Sequence, residues 1–454
     1  MIKLTIIGAG SAVFTKNIVA DLLSIEAFKK MEIALQDIDP TRLKASHDLL
    51  NIISSKLNAS PKITSHTNRR ESLEGADFVQ TTIQVGGYKP ATVIDFDIPN
   101  QFGLRQTIAD TLGIGGIMRG LRTIPVLLDI AKDIMEICPS ALWLQYVNPM
   151  CSNMIAINNS FPEIKTLGLC HSVQGTAEML AKDLGEKIED IDYLCAGINH
   201  MAFYQKFEKR ANGQPKEDLY PRLKILAEKI VNDETLSSRS TKKNEVSGKV
   251  LHEKVRYEIL RRFGYFVTES SEHFAEYVPW FIKQNRQDVI EKYKIPIEEY
   301  IDRCKRNVKL WEDLEKDMTP VYEQPLKRSN EYASYIVDAV ANNNEVTINA
   351  NVMNNNYIDN LPANCCVEVP CLLNSEGYKT QKIGKLPEHL AALMRTNINV
   401  QILTAEAAIT KKREHIYHAA LLDPLTGANL TIDEIYSMTD KMIEAHRNYL
   451  PQYH

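Results

Sequence analysis

Ile6-Ile7-Gly8-Ala9-Gly10-Ser11 closes an apolar run that begins at Leu4 and opens a helical pattern over residues 14–28. Glycines at such a junction let the backbone turn tightly and come close to a pyrophosphate. The helix that follows offers free N–H groups and the positive end of its dipole. The third glycine position of a G-x-G-x-x-G pattern is occupied by Val13, so the motif is weak by itself and its context decides the reading. A strand precedes it, and Ala34-Leu35-Gln36-Asp37 ends the next apolar run. An acidic side chain there takes both ribose hydroxyls and repels a 2′-phosphate. The stretch therefore predicts a site for NAD rather than NADP, with Gly8, Gly10, Ser11 and Asp37 as contacts and Asp37 preferred over Asp39. The alternative is a tight turn without a ligand.

The same rhythm continues outward. Apolar runs at residues 33–35, 78–84, 141–146 and 164–169 read as strands, and helical periods at 41–57, 117–137 and 177–184 lie among them. Such alternation implies parallel strands joined by right-handed crossovers. The fold expected is α/β: a doubly wound parallel sheet over residues 1–195, followed by a C-terminal α+β domain over 196–454. In that second part, residues 201–207 alternate like a strand of a different sheet. Helical patterns follow at 219–231, 249–263, 329–341, 390–408 and 432–449, with short strands near 346–350 and 366–372. The polar stretch 232–245, rich in Ser, Thr and Lys, reads as a mobile loop. The apolar pattern at 390–408 reads equally as core or as the interface of a homodimer or homotetramer.

Composition narrows the class. The chain has 454 residues, 44% hydrophobic and 24% charged, with a net charge of -5. That balance argues against a nucleic-acid surface, which needs clustered Lys and Arg. No run approaches the roughly 20 apolar residues that span a bilayer. Residues 4–7 are too short an apolar stretch for a secretory signal. Eight scattered cysteines are sparse for a secreted disulfide framework, so a reducing cytoplasm is expected.

Several further stretches carry a resemblance. They are Gln84-Val85-Gly86-Gly87-Tyr88, Ala109-Asp110-Thr111-Leu112-Gly113, Tyr146-Val147-Asn148-Pro149-Met150, Gly168-Leu169-Cys170-His171-Ser172, Gly197-Ile198-Asn199-His200 and Asn360-Leu361-Pro362. Together with the glycine turn they resemble the glycoside hydrolases of family 4 along nearly the whole chain. Two versions, Cys170-His171-Ser172-Val173-Gln174-Gly175 and Thr268-Glu269-Ser270-Ser271-Glu272-His273-Phe274-Ala275-Glu276-Tyr277, look like the α-galactosidase (melibiase) branch of that family.

The resemblance implies a Rossmann domain like that of lactate and malate dehydrogenases. It also implies hydrolysis of terminal α-galactosides with NAD and a divalent metal, usually Mn²⁺, outside the two-carboxylate scheme. The chemistry has a clear logic. The C2 proton of a sugar is barely acidic, but oxidation at C3 places it α to a carbonyl, which a metal polarises. A base then removes the C2 proton, the aglycone leaves, water adds at C1 and the hydride returns.

Residue by residue, Cys170 at a strand end and His200 after the next strand become the metal ligands. Read alone, they are equally a buried core thiol and a satisfied loop histidine. Asn148 hydrogen-bonds a sugar hydroxyl or the metal-bound oxygens. His171 is the proton donor to the leaving oxygen. Tyr257 is the base at C2, with Arg256 or the metal lowering its pKa. Asp110 raises the basicity of that base, with helix capping as its ordinary alternative. The partner expected is a small oligosaccharide, with no nucleic acid and no membrane. Rival readings are a 6-phosphoglycosidase or α-galacturonidase of the same family, a plain NAD-dependent hydroxy-acid dehydrogenase, and a non-catalytic NAD sensor.

Overall fold

Lys3–Ile7 is buried along its whole length, as a central parallel strand covered by helices on both faces must be. In the computed structural model, residues 1–210, 216–232, 242–243, 250–318, 326 and 328–454 are described. Most of the polar stretch 232–245 therefore lies outside the described residues.

Six strands of the first half stand in parallel: β1 (Lys3–Ile7), β2 (Glu32–Gln36), β3 (Lys62–His66), β4 (Phe78–Thr81), β5 (Leu142–Gln145) and β6 (Thr166–Gly168). Their order is β3-β2-β1-β4-β5-β6. The chain starts in the middle, winds outward one way, returns, and winds out the other way. A crevice opens where that order reverses, beyond the C-terminal ends of β1 and β4. The helix Ala12–Leu23 follows β1 and stops earlier than its apolar period, which continues as a short 3₁₀ turn over Glu26–Phe28. The helix Pro40–Lys56 follows β2; Asp39 caps it by accepting from the backbone of Thr41 at 2.9 Å and Arg42 at 3.2 Å, with proline in the first turn.

The second half corrects one expectation. Residues 201–207 form a strand, but not of a different sheet. β7 (Ile191–Ile198) and β8 (Met201–Lys209) form an antiparallel hairpin, and β9 (Glu217–Asp218) extends it. Two residue pairs, β10 (Lys242–Lys243) and β11 (Val250–Leu251), make a separate small ladder. A long hairpin of β12 (Val346–Met353) and β13 (Cys366–Asn374), flanked by β14 (Gly377–Thr380), then inserts between β6 and β7. One 12-stranded sheet results. The physical reason is the open edge of β6, whose unpaired backbone groups the late hairpin satisfies.

Two further features hold the halves together. The helix Glu388–Thr410 buries Leu390, Met394, Ile398 and Ala405 within the chain's own core. Near the C-terminus, His446 Nε2 lies 2.8 Å from Asp95 Oδ1, and Arg122 Nη2 lies 2.6 Å from Asp95 Oδ2, all three side chains fully buried. Among the described residues, no helix is long and apolar enough to cross a membrane.

Candidate active site

Side chains from distant parts of the sequence meet beyond β6 and β7. Cys170 follows the end of β6, His200 sits in the turn from β7 to β8, and Glu269 follows the bridge between Val267 and Phe203. Cys170 Sγ is 3.3 Å from His200 Nε2, and that nitrogen is 3.5 Å from Glu269 Oε2. The three ligand atoms lie within 4.8 Å of one another, the one such group of His, Cys, Asp or Glu found among the described residues. The other ring nitrogen, Nδ1, is 3.2 Å from both Thr111 Oγ1 and Tyr277 OH. Those hydroxyls fix the ring so that Nε2 faces the thiol and the carboxylate. Burial first, then the charge of Glu269, pushes the Cys170 thiol well above its ordinary pKa. Burial likewise pushes His273 down to about 3, against the pull of Glu269 at 3.5 Å, so this imidazole is neutral at pH 7. A thiol, an imidazole and a carboxylate so placed fit a divalent transition metal and leave coordination positions for substrate oxygens.

The loop carrying Asp110 forms the facing wall. The buried Glu276 carboxylate gathers it, accepting from the backbone N–H of Thr107 (2.7 Å), Ile108 (2.7 Å) and Ala109 (2.8 Å) and from Thr107 Oγ1 (2.8 Å). The loop packs on the start of the helix Gly113–Ile137. A Cβ on Gly115 would meet that of Ala109 at 2.5 Å, and one on Gly116 would meet the Thr111 carbonyl carbon at 2.7 Å, so only glycine allows the approach. Ala109 (φ 54°), His200 (φ 62°) and Glu269 (φ 68°) all adopt left-handed backbone without being glycine. Each costs about 1–3 kcal/mol, and such strain gathers where geometry is imposed for function.

Asp110 does not cap the helix, whose N-cap position is Leu112. It accepts from Thr111 Oγ1 at 2.7 Å and from Asn148 Nδ2 at 3.2 Å, and Arg119 Nη1 lies 3.9 Å away. Burial would raise this carboxyl, but nearby charge, that of Arg119 first, holds it below its ordinary value. Arg119 also donates to Tyr300 OH at 3.1 Å. Asp110, Asn148, Cys170 and His200 are thus brought to one cluster.

The residues expected to hold a dinucleotide meet in the neighbouring crevice. Gly8 (φ 83°) turns so tightly past β4 that a Cβ would sit 2.4 Å from the Thr82 carbonyl oxygen. Gly10 N–H donates to Asp37 Oδ2 at 2.7 Å. Ser11 heads the helix Ala12–Leu23, and its hydroxyl makes no capping bond. Asp39 is engaged in its own cap, as described above.

Two expected residues are placed elsewhere. Tyr257 is not brought to the cluster: its hydroxyl donates to Asp183 at 2.6 Å in a fully buried pocket, with its ring edge-on to Phe266. Arg256 pulls its pKa down, but burial first, then the Asp183 charge, outweighs that pull and pushes it well above the ordinary value. His171 heads the helix Ser172–Leu184 with 57% of its side chain exposed, and its Nδ1 lies 3.6 Å from Glu331 Oε1. Glu269, His273, Glu276 and Tyr277 went unassigned in the sequence, although all four stand in the stretch Thr268–Tyr277 quoted for the resemblance. The signal was the density of His, Glu and Tyr in ten residues.

The chain is similar to known proteins along nearly its whole length. The sequence model for the family 4 glycosyl hydrolases matches residues 3–186, and that for their C-terminal domain matches residues 195–426. An alpha-galactosidase of Bacillus subtilis (strain 168) is 46% identical over 453 residues, covering 100% of both chains. An alpha-galactosidase of Rhizobium meliloti (strain 1021) is 35% identical over 465 residues, covering 99% of this chain and 89% of that one. A 6-phospho-alpha-glucosidase from gut microorganisms, solved in complex with NAD and Mn²⁺, is similar in fold with a TM-score of 0.82 at 19% identity, covering 100% of each chain. With both halves matched in order along almost all of its length, this chain belongs to the family 4 glycosyl hydrolases.

Proposed function

We propose that this glycoside hydrolase acts on terminal α-galactosides and uses NAD and a divalent metal ion, with Mn²⁺ the first choice. The carrying observation is the Cys170, His200 and Glu269 cluster, set against the Asp110 and Asn148 pair beside the glycine crevice. The two alpha-galactosidase relatives, matched over nearly full length, support the substrate.

In this reading Gly8, Gly10, Ser11 and Asp37 hold the dinucleotide, and Cys170, His200 and Glu269 hold the metal. When bound, these groups supply hydride acceptance and return at the sugar C3 and Lewis acidity at its oxygens. Asn148 orients a sugar hydroxyl while its amide stays tied to Asp110. Arg119 keeps Asp110 ionised and donates to Tyr300. Of the tyrosines bonded into the cluster, Tyr277 is fully buried against His200, whereas Tyr300 is half-buried beside a fixed guanidinium. We assign removal of the C2 proton to Tyr300 in place of Tyr257, because Arg119 joins its hydroxyl to Asp110; burial pushes this phenol above its ordinary value, and the Arg119 charge offsets part of that rise. His171, with Glu331 beside it, protonates the leaving oxygen from the solvent side.

The test is a panel of nitrophenyl glycosides assayed with and without NAD and Mn²⁺, and in D₂O. The α-galactoside should react only when both cofactors are present, and the galactose released should carry deuterium at C2. Full turnover by metal-free, NAD-stripped protein, or galactose without deuterium, would return the chain to direct displacement at C1.

A further inference from the structure

The metal cluster has a floor of polar side chains that no bond so far described explains. β6 and β7, which lead to Cys170 and His200, are not neighbours; β12 and β13 lie between them. One row of paired residues crosses all four strands: Gly168 opposite Asn351, Asn351 opposite Glu368, and Glu368 opposite Gly197. Asn199 is the first residue of the turn that follows β7, and the turn to Cys170 starts from Gly168 in the same row. Both ends of the row need glycine. A Cβ on Gly168 would meet the Asn351 Cβ at 2.8 Å, and one on Gly197 would meet the Ala202 Cα at 2.6 Å.

Glu368, Asn351 and Asn199 are each 0% exposed. Asn351 Nδ2 donates to the Gly168 carbonyl at 3.2 Å and reaches Glu368 Oε1 at 3.5 Å. Four polar atoms in this floor have no hydrogen-bond partner: Glu368 Oε2, Asn351 Oδ1 and both amide atoms of Asn199. The amides of Asn199 and Asn351 nevertheless stand close enough to favour the charged form of the Glu368 carboxyl, but burial outweighs them and pushes it well above its ordinary value. Two of the four orphans are amide oxygens, which can only accept. An ionised carboxylate beside them adds another acceptor and leaves them unsatisfied. A carboxylic acid has one O–H to give, and it removes an orphan at each end of the bond it makes. Burial of a charge at this depth, with no ion pair among the described residues, is also far costlier than burial of a neutral acid.

We propose that Glu368 is a positioning residue of the metal site: as a neutral carboxylic acid it donates to an amide oxygen of Asn199 or Asn351 and so fixes the spacing of the strands that present Cys170 and His200. This rests on the assignment of Cys170, His200 and Glu269 as metal ligands. It contrasts with Glu276, which faces four donors and must accept.

The test uses the full-length protein and Mn²⁺ alone. Metal affinity is measured by titration for wild type, E368Q and E368A, with NAD affinity as a control. The amide of Gln also donates, so E368Q should bind Mn²⁺ as wild type does. E368A should bind it on the order of 10–100-fold more weakly, with NAD binding unchanged. Loss of affinity in E368Q equal to that in E368A would mean that the charge matters, and would overturn the proposal; so would wild-type affinity in all three. Wild type that binds no Mn²⁺ would sink the ligand assignment, and this inference with it. A second measurement does not depend on E368A folding. The infrared difference spectrum of wild type minus E368Q at neutral pH should contain a protonated carboxylic acid carbonyl band, and its absence would overturn the proposal as well.

Discussion

Glu276→Gln isolates the device that shapes the Asp110 loop. The two carboxylate oxygens serve four donors: Oε2 takes the N–H of Thr107 and Ile108 and the Thr107 hydroxyl, and Oε1 takes the N–H of Ala109. Gln offers a single oxygen. Its least costly placement keeps that oxygen where Oε2 stood and turns the NH₂ toward Ala109, so that two donors face each other. Leaving one buried N–H unsatisfied costs about 1–3 kcal/mol, and losing charge assistance on the remaining bonds adds to it. Ala109 is one of the strained positions and adjoins Asp110, so relaxation there moves the carboxylate away from Asn148 and Arg119. A shift of about 1 Å in such a site costs on the order of 100-fold in rate. The expected outcome is a stability loss of about 1–3 kcal/mol by urea denaturation, a fall in kcat of roughly 10–100-fold, and unchanged Mn²⁺ binding, because none of the three ligands is in this loop. Burial pushes Glu276 up to about 7, against the four hydrogen bonds. Were the acid form to dominate, Gln would be a near-isosteric replacement. An E276Q variant with wild-type stability and turnover would therefore refute the reasoning that the loop is gathered by a carboxylate.

Other outcomes follow from single contacts. Tyr257→Phe removes a hydrogen bond to the buried Asp183 carboxylate and should cost about 1.5–3 kcal/mol in denaturation while leaving kcat unchanged; a large fall in kcat at unchanged stability would restore Tyr257 as the base. Cys170→Ser replaces the proposed thiolate ligand by a weak alcohol, so Mn²⁺ content after dialysis should collapse while NAD affinity persists, and retained metal would remove Cys170 from the site. Asp423, buried and bonded to Thr426, is raised from 3.8 to about 6 by burial. Its raised folded-state pKa means that the native state holds a proton the unfolded chain has released between those values, so its contribution is fully present below pH 3.8 and lost as pH rises to about 6. The two-unit span corresponds to roughly 3 kcal/mol, and D423N should flatten that limb of the stability–pH curve measured by urea denaturation.

The dinucleotide half was legible because its physics is local. A strand, a glycine turn, a helix start and an acidic residue closing the next strand are read from neighbouring residues, and the order β3-β2-β1-β4-β5-β6 accommodates them. β3 escaped because an edge strand such as Lys-Ile-Thr-Ser-His, half-buried or exposed at every position, has no apolar pattern to display. The late hairpin was visible as two apolar runs. What local pattern could not give was its place between β6 and β7, since pairing partners are set by tertiary contacts. The same limit hid Glu269, which reaches His200 only through the turn after Val267, and it misplaced Tyr257, whose helical face turns toward Asp183. Cys170, His200, Asp110 and Asn148 came from family resemblance, and the structure brings these four together.

The inserted hairpin also sets an order of events during synthesis. Chains leave the ribosome N-terminus first and fold as they emerge. Every strand of the nucleotide crevice has been made once Gly168 is out, and both Cys170 and His200 follow soon after. Yet the hairpin that lies between the strands leading to those two proposed ligands comes from residues 346–374, which are translated much later. On that assignment the nucleotide pocket is an early product of translation and the metal pocket a late one. A nascent chain halted before Val346 carries Cys170, His200 and Glu269 with nothing to hold their strands apart. On the proposed ligand assignment, loading of the ion therefore waits until Asn374 has been made.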